Sequence, residues 1–477
     1  MPDNRELINE YIANLKYDPK TVMVFNGTKI QNIDPTPKDS FDDSNNYIIV
    51  TREKRSYEAD FDIAVPSSYN DVTYPGALIV ASNDLLDGKP QELAAEKSEI
   101  NILVNLPGTN DISFTVVPTY ANVQKGINEV LSRWFEKQGG KWTLPANFQY
   151  NSSLVYDERE LSLKFGCDIS YLQQKLGIDF SSTTAGKKSI YIVRFKQIFY
   201  DASAERPKKP ADIFSEATTL KDLERAGVSD KHPPLFVKNV QYGRQIYLKF
   251  ESNLSSTDLE ATVKGSFTKD GAKVDVNAST AYKEKLSKID ISIIALGGST
   301  AAFKGLKLNN IDDVEKINNI IWENTTLSQT NPAAPLNYLT VYLKDGASAS
   351  VHGKTEYTAE KTESYTNGAL QLDHNGAYVA QFFVSWDEIS FPNGSKSIKH
   401  VNWSGNGHDL TAHWATTIPF KGNVRNINIK ARGCTGLAWE WWRTSGDEIG
   451  LPLVPLRKVA IGGTTLHQTF EDKVIKQ

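Results

Sequence analysis

Residues 433–443 read GCTGLAWEWWR and hold three of the nine tryptophans of the chain within four positions. Indole rings are favoured at a membrane–water interface, where an apolar ring and a polar N–H group are both accommodated. Trp439, Trp441 and Trp442 fit an exposed loop that enters a lipid surface, but they also fit the interior of a hydrophobic core. The residue types alone leave both interpretations open.

The chain around this stretch is too long, at 477 residues, for one hydrophobic core, so we expect about two to four domains. From about Thr366 onward the sequence is rich in aromatic residues and strand-like, with short turns. This pattern predicts a separate C-terminal β-sandwich.

The composition excludes several classes of protein. The formal net charge is −4, which favours no general attraction to nucleic acid or to anionic lipid. No apolar run approaches the roughly 20 residues of a membrane-spanning helix, and no signal peptide is visible at the N-terminus. Cys167 and Cys434 are the only cysteines, and we expect both to be free thiols.

Helical patterns are few. Apolar residues at helical spacing predict amphipathic helices at Glu6–Leu15, Val123–Phe135 and Ile311–Trp322.

Two regions alternate between apolar and polar residues. Residues 259–267 and 274–282 flank the turn signal Lys269–Gly271, and residues 161–171 and 176–180 behave similarly. Each arm is close to the length of a tilted transmembrane strand, about 9–11 residues. Alternation alone most often marks a half-buried hairpin of a water-soluble sheet. Leu259, Val263 and Phe267 also follow helical spacing, so this segment fits a helix in one state and a strand in another.

The tryptophan-rich stretch closely resembles the undecapeptide of the cholesterol-dependent cytolysins, also called thiol-activated cytolysins. Ten of its eleven positions match, from Cys434 to Arg443. The resemblance extends over nearly the whole chain, through Tyr74–Leu78, Lys164–Gly166, Tyr242–Gln245, Gly376–Ala380, Leu410–His413 and Lys421–Asn426. Gly433 departs from the family's glutamate, and we expect it to remove a charge and to loosen the entry of the loop.

The resemblance implies an α+β, mostly β fold: an elongated four-domain pore-forming toxin with a central twisted antiparallel sheet, flanked by helical bundles, and a C-terminal β-sandwich. The implied boundaries are residues 1–22, 62–152, 204–249 and 325–348 for domain 1, 23–61 and 349–365 for domain 2 (a β connector), 153–203 and 250–324 for domain 3 (two transmembrane hairpin regions), and 366–477 for domain 4.

The resemblance also implies the functional residues. Thr465 and Leu466 would recognise cholesterol, because a hydroxyl beside an aliphatic side chain suits a sterol. Gly297 and Gly298 would form a hinge that releases a strand from the sheet edge. The membrane-anchoring residues would be Cys434, Trp439, Trp441, Trp442, Arg443, Ala377 and Ala412.

The implied function is that of a cytolysin, similar to a hemolysin. It would be secreted or released as a soluble monomer or weak dimer, bind membrane cholesterol in the lipid bilayer of a target host cell, and form a homo-oligomeric ring that inserts a large transmembrane β-barrel. No cofactor, metal or nucleic acid is expected.

Two other functions compete with this interpretation. An enzyme is not expected, because no metal-binding, phosphate-loop or nucleophile-elbow motif occurs. A sterol- or glycan-binding module that docks on membranes without forming pores is the alternative, and it predicts binding to vesicles without leakage.

Overall fold

The computed structural model describes residues 3–26, 29, 33–41, 46–61, 63–64, 71–85, 89–138, 141, 143–165, 176–178, 180, 188–267, 280–298, 311–323 and 325–476. The chain divides into two compact units. Unit 1 comprises Met1–Asn32, Lys54–Leu254 and Asp258–Ala359, and unit 2 comprises Ile33–Glu53, Ser255–Thr257 and Glu360–Gln477. The four-domain boundaries stay a prediction.

The named α-helices of the described ranges all precede the C-terminal part of the chain. They are α1 (Asn4–Asn14), α2 (Pro19–Val22), α3 (Tyr120–Gln138), α4 (Glu158–Phe165), α5 (Leu220–Arg225), α6 (Ser256–Ser266), α7 (Thr280–Leu286) and α8 (Ile311–Glu323). The three helices predicted from the sequence are confirmed as α1, α3 and α8. None of the helices in the described ranges is long and apolar enough to cross a bilayer.

The strands up to residue 365 form two sheets. They are β1 (Val24–Asn26), β2 (Lys38–Phe41), β3 (Tyr47–Phe61), β4 (Ile63–Ala64), β5 (Leu78–Val80), β6 (Gln91–Glu92), β7 (Ile100–Val104), β8 (Ser113–Val116), β9 (Asn147–Leu154), β10 (Ser189–Ala204), β11 (Pro234–Ser252), β12 (Ile289–Leu296), β13 (Ala334–Tyr342), β14 (Ser348–Ala349) and β15 (Val351–Tyr365).

The larger sheet is antiparallel and is built on the two long strands β10 and β11. Its main order is β14-β13-β11-β10-β7-β8, with β9 added to β10 and β12 added to β11. The smaller sheet has the order β1-β15-β3-β2.

Helices cover both faces of the sheet where β10 and β11 pair. On one face, Leu259 and Val263 of α6 and the following Phe267 are fully buried. They share a hydrophobic cluster with Tyr191, Val193, Phe195, Ile246, Leu248, Phe250, Val314, Ile317 and Ile321. On the other face, α4 packs against the strand residues that point the opposite way. This second hydrophobic cluster includes Leu161, Phe165, Ile190, Ile192 and Tyr247.

Of the described residues in the alternating segments, 161–165, 259–266 and 280–282 are helical, whereas 177–178 and 267 are not. Alternation alone predicts strands at 259–267 and from residue 161, and that prediction is wrong for this state. The helical spacing of Leu259, Val263 and Phe267 prevails, because it buries all three against the sheet. The turn Lys269–Gly271, residues 166–175 with Cys167, and residues 274–279 lie outside the described residues.

One residue of α6 is a poor helix former that the packing does not require. Gly265 lies one turn from Ala261, and among the described residues the nearest neighbour of a Cβ atom placed on it would be the ring of Tyr282, at 3.8 Å. Ordinary contact at this distance leaves room for an alanine. Glycine in a helix interior costs about 1 kcal/mol relative to alanine.

The C-terminal part of unit 2 is a β-sandwich, as the sequence predicted. One sheet has the order β19-β16-β22-β23 and the other has the order β18-β17-β20-β21. The strands are β16 (Gly368–His374), β17 (Ala380–Ser390), β18 (Ser397–Asn402), β19 (Trp414–Phe420), β20 (Val424–Leu437), β21 (Glu440–Leu451), β22 (Leu456–Gly463) and β23 (Gln468–Lys476). Alternate residues of both sheets fill one core, which includes Leu370, Leu372, Phe382, Val384, Ile429, Ala431, Val459 and Ile461.

Leu259→Ala is expected to lower the free energy of unfolding by about 2–5 kcal/mol, because it leaves a cavity between α6 and the sheet. The matched control is Lys264→Ala on the solvent side of α6, where Lys264 pairs with Glu260 at 2.6 Å. An exposed pair contributes about 0–1 kcal/mol. Urea unfolding followed by circular dichroism measures both, and equal effects would contradict this account of α6 packing.

Candidate functional site

Four connections of the sandwich meet at one end, which we call the loop end. They are residues 375–379, 403–413, 438–439 and 464–467. Backbone hydrogen bonds join them: Ala377 donates to Gly463 at 3.1 Å, and Cys434 donates to Val379 at 2.7 Å. Ala380 and Leu410 exchange two further bonds at 2.9 Å. The loop end is thus one connected surface.

The β20–β21 hairpin presents two tryptophans to solvent. Trp439 is 83% exposed and Trp441 is 57% exposed. The Thr435 hydroxyl closes the turn by donating to the Glu440 carbonyl and accepting from the Leu437 N–H at 3.0 Å. Of the two interpretations of the tryptophan-rich stretch, the structure favours the exposed loop.

Trp442 differs from its two neighbours because it is half-buried. The guanidinium of Arg432 lies 4.9 Å from the centre of its ring and 4.9 Å from that of Phe383. The same Arg432 donates to the Gln381 side chain at 2.7 Å. This stack holds Trp442 against the sheet, and it leaves Trp439 and Trp441 as the freely exposed pair.

Arg443 joins the tryptophan-bearing hairpin to the turn between β22 and β23. Its Nη1 donates to the Leu466 carbonyl at 2.7 Å, and its Nε donates to Glu440 Oε1 at 3.0 Å. The hydrogen bonds from Arg443 lower the pKa of Glu440, and the same contact raises the pKa of Arg443. The pair is ionised at neutral pH, so it orients Arg443 toward the neighbouring turn.

Thr465 and Leu466 lie in the middle of that turn. Thr464 and His467 close it with backbone bonds of 3.0 and 3.2 Å, and Gly463 enters it at φ +84°. That positive φ favours glycine. Leu466 is 48% exposed, and no described residue forms a hydrogen bond with the Thr465 hydroxyl. A hydroxyl and an aliphatic side chain are thus both available at one turn.

Ala377 and Ala412 are exposed in the two other loops of the loop end. The loop of Ala377 is fixed by the fully buried His374, whose Nε2 donates to the Tyr378 carbonyl at 2.6 Å. The Gly376 N–H donates to Nδ1 of the same ring at 3.3 Å. Burial lowers the pKa of His374, and the nearby His413 acts in the same direction. His374 therefore holds this loop in its neutral form.

Gly433 does not loosen the loop's entry, so that expectation is wrong. Gly433 is buried inside β20, paired with Ala380 on one side and with Arg443 on the other. Cys434, the next residue, is half-buried and is a free thiol, as expected.

The predicted hinge lies in unit 1, directly after β12. Gly297 and Gly298 have φ values of +73° and +68°, a conformation that side chains resist. Gly298 donates its N–H to the Pro332 carbonyl at 2.7 Å. The pair forms a turn at the end of β12, and its role as a hinge stays a prediction.

Sequence reasoning missed three residues that organise the loop end: His374, Arg432 and Gln468. Arg432 stands two residues before Cys434, and the hairpin register brings it beside Trp442. A correct register for the hairpin would have found it. His374 and Gln468 act through contacts between different strands, for which the chain carries no local signal.

A mostly β protein with a helix-flanked antiparallel sheet and a sandwich that ends in exposed tryptophans has the architecture of a pore-forming toxin. Residues 7–365 match the family model for thiol-activated cytolysin. Residues 369–469 match the thiol-activated cytolysin beta sandwich domain. The chain therefore belongs to the thiol-activated cytolysin family, and the predicted fold class and pore-forming function are confirmed.

Individual relatives agree with this assignment. Perfringolysin O of Clostridium perfringens is 40% identical over 469 residues, covering 98% of this chain and 92% of that protein. Pneumolysin of Streptococcus pneumoniae is 36% identical over 476 residues, covering 98% of each. A crystal structure of a Gram-negative toxin is 69% identical, with a TM-score of 0.85 over 99% of this chain and 100% of that chain.

The stability of the sandwich is expected to fall as pH drops below about 6.5, the ordinary histidine value in an unfolded chain. Because the pKa of His374 is lowered in the folded state, the unfolded chain binds its proton first. The stabilisation by neutral His374 is fully present above that pH, and it is lost as the pH falls toward the lowered pKa of His374 in the folded state. Thermal unfolding at pH values from about 7 to about 5 measures it.

His374→Gln is expected to flatten this pH dependence, whereas the same change at the exposed His408 is expected to leave it unaltered. A full pH dependence in His374→Gln would show that another group is responsible.

Proposed function

We propose that the protein binds cholesterol-containing membranes through the loop end, assembles there into a ring and opens a large transmembrane β-barrel pore. The observation that carries the membrane-binding part is the set of exposed apolar side chains on one connected surface: Trp439, Trp441 and Leu466. Grouped exposed apolar side chains mark interaction surfaces. Indole rings specifically suit a lipid interface.

Cholesterol is the ligand proposed for Thr465 and Leu466. The Thr465 hydroxyl offers both a donor and an acceptor to the sterol hydroxyl. Leu466, at 48% exposure, offers apolar surface to the rigid rings. Arg443 sets the orientation of this turn through the Leu466 carbonyl.

The other loop-end residues would give shallow anchoring. Trp439 and Trp441 would enter the interface first, with Trp442 and Cys434 behind them. Ala377 and Ala412 are small and exposed, so their loops can approach the headgroups without a large desolvation cost.

The pore would form from the helical regions that flank the central sheet. Two regions would refold as paired strands. One contains α6 and α7, which precede β12 in the chain, and the other contains α4, which follows β9. In lipid every backbone N–H and C=O group must be paired, so strands are stable there only in a closed barrel. Two hairpins from each chain are too few for a wide barrel, and many copies would have to assemble.

Release of β12 from β11 is the step proposed for Gly297 and Gly298. Eight residue pairs, from Gln245–Leu296 to Ser252–Ile289, join the two strands. A new neighbour could pair with this stretch of β11 only after β12 leaves it. Glycines at the end of β12 would permit that rotation.

Before assembly the toxin would be a released, water-soluble monomer or weak dimer that meets the target cell from outside. Its partners would be membrane cholesterol, the bilayer and further copies of itself.

Vesicles of phosphatidylcholine with cholesterol, loaded with a fluorescent dye, are expected to leak on addition of the protein, whereas vesicles without cholesterol stay sealed. Sedimentation of the treated vesicles should recover ring-sized oligomers. Binding to cholesterol vesicles without leakage would instead identify a docking module and reject the pore.

Thr465→Gly combined with Leu466→Gly is expected to weaken binding to cholesterol vesicles by at least about tenfold, since burial of one leucine side chain contributes about 1.5–3 kcal/mol. Vesicle flotation measures the binding. The control combines Thr417→Gly with Val474→Gly, a threonine and an exposed apolar residue on strands of the same sandwich. Parental binding by the Thr465/Leu466 variant would refute the sterol assignment.

A further inference from the structure

Gly433 lies among the contacts that fix the turn between β22 and β23. It is buried within β20, where its backbone pairs with Ala380 of β17 and with Arg443 of β21. Two side chains from other strands, those of Tyr378 and Gln468, fill the space beside its Cα atom.

There is no room for a side chain at this position. A Cβ atom on residue 433 would lie 2.4 Å from the Tyr378 ring and 2.6 Å from the Gln468 side-chain nitrogen. Real Cβ atoms essentially never come within 3.0 Å of a neighbour. Any residue other than glycine must therefore displace the ring, the amide or both.

Both neighbours are tied to the β22–β23 connection. The Tyr378 hydroxyl donates to the Gly462 carbonyl at 2.8 Å. Gln468 donates from Nε2 to the Thr465 carbonyl at 3.2 Å, and its Oε1 accepts from the Ser445 hydroxyl at 2.6 Å. Displacing the Gln468 amide would therefore break a contact with the turn itself.

The strand partner of Gly433 holds the next residue of the same turn. Arg443 donates to the Leu466 carbonyl at 2.7 Å. The two successive carbonyls of Thr465 and Leu466 are thus fixed by two side chains, Gln468 and Arg443, that both border Gly433.

We infer that Gly433 is a positioning residue for the sterol-binding turn, because its missing side chain leaves the space that Tyr378 needs to hold the Gly462 carbonyl and that Gln468 needs to hold the Thr465 carbonyl. The inference rests on the proposed role of this turn in binding cholesterol. It assigns a function to Gly433, the first residue of the tryptophan-rich stretch. In this scheme Gly433 itself makes no contact with the sterol.

The test is Gly433→Ala in the full chain, with flotation of phosphatidylcholine vesicles at graded cholesterol contents. The variant is expected to bind about tenfold more weakly, as for loss of one hydrogen-bonded contact, and to require more cholesterol for half-maximal binding. Parental affinity and an unchanged cholesterol requirement would overturn the inference.

A glycine control separates positioning from general damage. A Cβ atom on Gly368, at the start of β16, would lie 2.3 Å from the Val454 carbonyl oxygen, so Gly368→Ala strains the sandwich away from the loop end. It is expected to lower the unfolding temperature and to keep the parental cholesterol requirement. If Gly368→Ala raises the cholesterol requirement as Gly433→Ala does, the effect is general strain and the inference fails.

A double-mutant cycle tests the route through Gln468. Gln468→Ala removes the bond to the Thr465 carbonyl, so adding Gly433→Ala should then reduce affinity by less than it does alone. If the affinity loss of the double variant equals the product of the losses of the two single variants, coupling through Gln468 is contradicted. If the Thr465→Gly/Leu466→Gly variant binds normally, the proposed function fails; if that variant loses binding while Gly433→Ala does not, only this inference fails.

Discussion

Burial of one apolar face of α6 against β10 and β11 is the interaction on which the soluble form of the central sheet depends. Leu259, Val263 and Phe267 are spaced by four residues, which places them on one face of a helix. An even spacing also places them on one face of a strand. The same three residues can therefore form the apolar face of a helix packed on the sheet and the apolar face of an extended strand in lipid.

The loop end obeys a different constraint, because its exposed contacts contribute little stability. An exposed ion pair such as that of Arg443 with Glu440 contributes little to stability, because solvent screens it. Its value is geometric: Glu440 holds the guanidinium where it meets the Leu466 carbonyl. Backbone bonds, from Cys434 to Val379 and from Ala377 to Gly463, carry the connection between loops. A surface built this way keeps its shape while leaving the tryptophans unpacked.

The sequence was informative where one local pattern dominates. Helical spacing predicted α1, α3 and α8, and the strand-rich composition after residue 366 predicted the sandwich. Where two periods coincide, as at 259–267, alternation favoured the wrong state, because only the tertiary sheet decides which face is buried. Gly433 was misjudged for a related reason: a glycine signals freedom in isolation, whereas here Tyr378 and Gln468, distant in sequence, occupy the space beside it. The grouping of Arg443 with Leu466 likewise needs the fold.

Gly265 lowers the intrinsic stability of α6. Among the described residues an alanine there would meet only ordinary contacts, and it would strengthen the helix by about 1 kcal/mol. In the proposed refolding of α6, a more stable helix raises the free-energy barrier to insertion. Stability of the folded protein and pore-forming activity are then opposed. A vaccine antigen with alanine at such a position would be more stable and less toxic.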